Sequence, residues 1–125
     1  MRGTVLLLDD DRSRRLADGL RLNRLLVYEA SDLVEAMEHL RGADPDVIVA
    51  CLAPQDTRSL VGELRAAAPR GASIIVAADA AHREAAHAGG ADSFLPAPVS
   101  PADLLYEIHR ALILRRSGRR LPWNW

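Results

Sequence analysis

The 125-residue chain contains no lysine; all sixteen of its basic side chains are arginine. No side chain can supply an ammonium group, so a site that depends on a lysine cannot be assembled from this sequence. Cysteine is almost as scarce. The one thiol, Cys51, excludes an internal disulfide and a zinc site built from several cysteines, and it fits a reducing, cytoplasmic setting. Long apolar runs are missing as well. Nothing approaches the length of a membrane span. Residues 5–8 form too short an apolar run, met at once by acid, to serve as a secretory signal. Charge of one sign is also lacking: the formal net charge is −1, without the strong basic field of a dedicated nucleic-acid binder.

What remains is enough for one domain, with about two-thirds of its unfolded surface removed from water. Short apolar runs alternate with longer amphipathic stretches. Residues 4–8 end in Asp9 and read as a strand buried on both faces. Residues 12–24 follow as a helix with Leu16 and Leu20 on one side. A second strand is expected over 26–30. Asp32 should cap a helix whose apolar face carries Val34, Met37 and Leu40 and which Gly42 closes. The third strand is expected over 47–52, the third helix over 59–68 and the fourth strand over 74–77. Residues 79–88 read as one alanine-rich helix stopped by Gly89 and Gly90, and 93–95 as a short fifth strand. Ser100, Pro101 and Asp103 together announce the last helix, with Leu104, Leu105, Ile108, Leu112 and Leu114 on its inner face. Five strands alternating with five helices predict an α/β fold, a parallel sheet covered on both sides by right-handed crossovers.

In such sheets ligands sit outside the carboxyl ends of the strands, and Asp9, Asp10 and Asp11 leave the first strand there. Three adjacent carboxylates repel one another and favour a hard cation or an arginine nearby, although helix-capping acids read the same way.

Four stretches in order carry a resemblance. Residues 6–12 (LLLDDDR), 44–49 (DPDVIV), 90–98 (GADSFLPAP) and 98–105 (PVSPADLL) resemble the receiver domain of CheY-like response regulators in two-component systems. The likeness covers residues 3 to about 116 and implies a flavodoxin-like (βα)5 fold, its five-stranded parallel sheet in the order 2-1-3-4-5. By the same resemblance, residues 1–116 form the receiver-like domain and 117–125 an Arg- and Trp-containing tail. Asp9 and Asp10 match the acidic pair that holds magnesium, with Asp10 the closer ligand, and Phe94 matches the family's aromatic switch position. The third strand should end in the aspartate that accepts phosphate, and counting from Pro45-Asp46 puts Cys51 there. A hydroxyl residue is expected where Ala78 stands, and the family's lysine where Ala97 stands. Phosphoryl transfer to aspartate needs a carboxylate nucleophile, a metal and a cation for the product. This sequence keeps at most the metal-binding half, so magnesium should bind weakly and no cofactor is required.

The expectation is a degenerate, non-enzymatic receiver, a pseudo-receiver that signals by protein–protein contact. The resemblance implies that contact runs through the fourth helix, fifth strand and fifth helix, roughly residues 81–114, to a protein partner or to a second copy in a homodimer. Two alternatives stay open. Asp56 could act as a displaced phosphate acceptor, though it also suits the cap of the third helix. The arginines of 115–120 could bind nucleic acid, though cations at a helix C-terminus need no such partner and aromatics are not interleaved with them. The four histidines are scattered and read as surface or helix-end residues. Trp123 and Trp125, the only tryptophans, should dock on some surface.

Overall fold

The computed structural model describes residues 3–9, 14–51 and 56–116. Five strands, β1 (Gly3–Leu8), β2 (Leu25–Ala30), β3 (Val47–Ala50), β4 (Ser73–Ala78) and β5 (Ser93–Pro96), form one parallel sheet in the order β2-β1-β3-β4-β5. The helices are α1 (Arg14–Leu22), α2 (Leu33–Gly42), α3 (Thr57–Ala67), α4 (Arg83–Gly89) and α5 (Pro101–Arg116). This is the flavodoxin-like arrangement expected from the sequence.

Side-chain alternation divides the core in two. Val5, Leu7, Val49 and Ile75 face α1 and α5, where Leu16, Leu20, Leu104 and Ile108 meet them. Leu6, Leu8, Ile48 and Val76 face the other way, onto Ala36 of α2, Leu60, Val61 and Leu64 of α3, and Ala86 of α4. Because neighbours along a strand point to opposite faces, a run such as Val5–Leu8 must be apolar throughout to feed both layers. That is why β1, β3 and β4 read as continuous runs and not as alternating ones.

Local signals explain most helix ends. Asp32 caps α2, its carboxylate accepting from the Glu35 amide at 2.9 Å. Ser100 does the same for α5 through the Asp103 amide at 3.1 Å. Four expectations need correction. Val34 is not on the inner face of α2 but 68% exposed; Leu33 and Leu40 pack inward around Ala36, whose small side chain lets the helix sit close to the sheet. Gly42 is the last residue of that helix, and the cap is Ala43 in extended conformation. Residues 79–88 do not form one helix. A 3-10 turn at Ala80–His82, capped by Asp79, precedes α4. The two glycines that end α4 do different things. A Cβ on Gly89 would lie 2.6 Å from the Arg58 carbonyl and 2.8 Å from Val61 Cβ, so this glycine lets α4 press against α3. Gly90 takes φ of 106°, the left-handed conformation that favours glycine and closes the helix.

Candidate functional site

The backbone ladder fixes what stands at the carboxyl edge of the sheet. Beyond β1, the Asp9 amide donates to the Ala30 carbonyl at 2.9 Å; beyond β3, the Cys51 amide donates to the Leu8 carbonyl at 2.7 Å. Ala97, beyond β5, donates to the Ala78 carbonyl at 2.7 Å, and the Ala97–Pro98 peptide is cis. Asp9, Cys51, Ala78 and Ala97 therefore lie along one rim of the domain, each at or just past the end of a different strand. Asp10, the other half of the expected acidic pair, lies outside the described residues, as do positions 52–55.

The chemistry of this rim is sparse among the described residues. Asp9 is partly buried and brings one carboxylate. Cys51 is half-buried and packs beside the apolar layer of α1 and α5. Ala78 is buried and Ala97 exposed, and neither can donate a side-chain hydrogen bond or a proton. Magnesium takes oxygen ligands in octahedral geometry, whereas a thiol is a soft donor. Among the described residues no three His, Cys, Asp or Glu side chains are grouped to hold a metal ion. Asp9 and Cys51 alone do not fit a magnesium site.

Around the rim, polar groups serve helix ends. Asp56 caps α3, its Oδ1 accepting from the Ser59 amide at 3.0 Å. That amide bond and the Ser59 hydroxyl hold the Asp56 carboxyl below its ordinary value of 3.8, against an opposing desolvation that outweighs the small help from Arg58. Next to it Thr57 is almost fully buried, and its hydroxyl meets His82 Nδ1 at 3.0 Å, tying the start of α3 to the turn before α4. His82 stands at a helix end, one of the two places the sequence suggested, but this bond leaves no local pattern because its partner is 25 positions away. Phe94, at the switch position implied by the resemblance, is buried in the α2–α3–α4 layer with the Arg83 guanidinium 5.4 Å from its ring centroid.

On the outer side, α5 shows a different character. Tyr106 is 68% exposed and Ile113 54%, two large apolar side chains seven positions apart, on one side of the helix. They lie within the 81–114 face expected to make contacts. The arginine and tryptophan tail, 117–125, lies outside the described residues. Among the described residues no helix is long and apolar enough to cross a membrane.

Solved structures show close likeness. A CheY-like response regulator receiver domain protein from Methanospirillum hungatei superposes with a TM-score of 0.81 at 19% identity, covering 94% of this chain and 99% of that one. A putative response regulator from Chloroflexus aurantiacus gives 0.77 at 26% identity, over 90% and 99%. The chemotaxis response regulator CheY4 of Vibrio cholerae gives 0.75 at 23% identity, over 89% and 99%. No protein-family model matches the chain, and no curated protein matches it by sequence. Strand order, helix placement and these likenesses agree: the chain has the receiver-domain fold of two-component response regulators.

Proposed function

We propose that this chain is a degenerate receiver, a non-enzymatic signalling module that acts through protein contacts and takes no phosphate. The observation that carries this reading is the rim just described. At or just past the ends of the third, fourth and fifth strands stand Cys51, Ala78 and Ala97, where a phosphate-accepting receiver needs a carboxylate, a hydroxyl and an ammonium. A thiol and two methyl groups offer no acceptor of that kind and no cation to balance a phosphoryl group. The sequence holds no lysine with which to replace the missing cation. Magnesium affinity should be poor for the reason given above. Asp56 does not favour the rival reading, since its carboxylate already caps α3. The contact surface is the α4–β5–α5 face, whose exposed Tyr106 and Ile113 suit a protein partner or a second copy of this chain.

The test uses the full chain with magnesium and beryllofluoride, which mimics a phosphoryl group on aspartate, followed by amide chemical shifts. Resonances of Asp9, Cys51 and Phe94 should stay in place, and acetyl phosphate should add no mass. A gain of one labile phosphate would overturn the reading, and its loss in Asp56→Asn would name the displaced acceptor.

A further inference from the structure

The sheet ends in two edge strands, β2 and β5. An edge strand offers a row of backbone N–H and C=O groups on which another chain's strand can add. β5 runs only from Ser93 to Pro96, and a proline brings no N–H to such pairing. β2 lacks both protections. Its six residues, Leu-Leu-Val-Tyr-Glu-Ala, hold no proline or glycine and a single charge, a composition that favours edge-to-edge stacking. Leu26 in the strand and Leu22 just before it are exposed. Side chains from two helices cover this edge instead. The Ala30 carbonyl accepts from the Asp9 amide and so faces β1. Alternate residues of a strand turn their backbone groups to opposite sides, which sends those of Val27 and Glu29 outward. Both outward carbonyls are taken. Arg21, in the last turn of α1, donates through Nη2 to the Val27 carbonyl at 2.9 Å and through Nη1 to the Glu29 carboxylate at 3.0 Å. His39 of α2 stands with Nε2 2.9 Å from the Glu29 carbonyl. A carbonyl only accepts, so that nitrogen carries the proton. The imidazole also rests against Tyr28, with ring centroids 5.4 Å apart. Since α1 and α2 lie on opposite faces of the sheet, the edge is clasped from both sides.

Water could satisfy carbonyls at an exposed edge at little cost, so what the two side chains add is occupancy. An incoming strand has to displace them to reach the acceptors it needs. We propose that Arg21 and His39 exclude the β2 edge from the chain's contacts, and that what they turn away is the same edge of a second copy. Without them, two β2 strands would pair antiparallel about a twofold axis and join two sheets into one, an isologous contact that brings Val27 and Glu29 of each copy to the other. Arg21 and His39 thus act as specificity residues for assembly. They leave contacts to the opposite side of the sheet, where the α4–β5–α5 face lies. The exclusion holds whether or not the rim takes phosphate.

The experiment compares the full chain with the double variant Arg21→Ala, His39→Ala, in which alanine suits both helices and removes both donors. Sedimentation velocity over a concentration series reads self-association, and amide hydrogen exchange at Val27 and Glu29 locates it. The double variant should associate about tenfold more tightly or better than the unsubstituted chain, and exchange at those two outward amides should slow in the associated form. Each single variant should fall between. Arg21→Lys, which keeps a donor and a partner for Glu29, should stay close to the unsubstituted chain. A folded double variant that associates no more than the unsubstituted chain overturns the proposal, whatever contact the two share through the α4–β5–α5 face. So does stronger association that leaves exchange at Val27 and Glu29 unchanged, which would mean that another surface has been exposed. If the double variant loses its fold by circular dichroism, the single variants carry the same test with the same two outcomes. Either failure would leave the phosphate-independent reading standing, since beryllofluoride tests that separately.

Discussion

The two ends of the sheet are built from opposite materials. At the amino end, charged side chains reach into the backbone. Asp92, just before β5, accepts from the Ile74 amide at 2.8 Å and from Arg65 of α3. Arg65 also donates to the carbonyls of Ala72 and Gly90, each at 2.8 Å. Across the sheet, Asp46 accepts from the Thr4 amide at 2.9 Å and pairs with Arg115 of α5 at 3.4 Å. At the carboxyl end, the described residues at and just past the strand ends are Leu8, Asp9, Ala30, Ser31, Ala50, Cys51, Ala78, Asp79, Pro96 and Ala97, mostly small, with Asp79 given to the cap of the following turn. In a fold that places ligand chemistry at the carboxyl ends, the described charged residues that bond into the strands, Asp46, Arg65 and Asp92, stand at the opposite end. Their partners are strand-edge amides and carbonyls, so their work is structural. The difference teaches that the sheet is tied at its amino end by side chains bonded to the backbone, while the described carboxyl rim carries few side-chain bonds into the strands.

Substitutions can break or sharpen that contrast. Arg65→Ala should have the largest effect, a loss of about 2–3 kcal/mol, because it strips a mostly buried carboxylate of its cation and leaves two carbonyls unsatisfied; chemical denaturation measures it. Asp46→Ala should cost about 1–2 kcal/mol, by removing the acceptor of the Thr4 amide and the anchor of Arg115. Cys51→Ala at the other end should change stability by less than about 1 kcal/mol. A cost at Cys51 equal to that at Arg65 would show that the carboxyl rim is as structural as the amino end. The smallest effect concerns pH. Asp56 is held below its ordinary value of 3.8, so its contribution is complete above that pH and is lost as pH falls through the depressed folded value. The stability gap between the unsubstituted chain and Asp56→Ala should therefore close on acidification, while remaining constant from neutral pH down to about 5.

The fold was legible because strands buried on both faces announce themselves as apolar runs, and because Asp32, Ser100 and Pro101 mark helix starts by local chemistry. What escaped depended on distance or close fit. Val34 and Leu33 are adjacent, and only the nearness of Ala36 to the sheet decides which of them turns inward. Gly89 looks like a second helix stop until Arg58 and Val61 are found against it. The rim positions Cys51, Ala78 and Ala97 could be counted from the sequence because no insertion interrupts the strands that lead to them. The hydrogen bonds of Asp46 and Asp92 could not, since an acid before a strand carries no mark of the amide it will accept from.

Arg65 also bears on the order of assembly. Its partners at Ala72, Gly90 and Asp92 lie up to 27 positions further along the chain, so its bonds close only after β4, α4 and the start of β5 have come together. Whether that interaction has formed in the folding transition state is read from the φ-value of Arg65→Ala, and the separation of its partners predicts a low one. A low φ-value would make Arg65 chiefly a brake on unfolding. Its removal should leave the refolding rate nearly unchanged and shorten the lifetime of the folded domain, so that its stabilising effect is felt mainly as persistence.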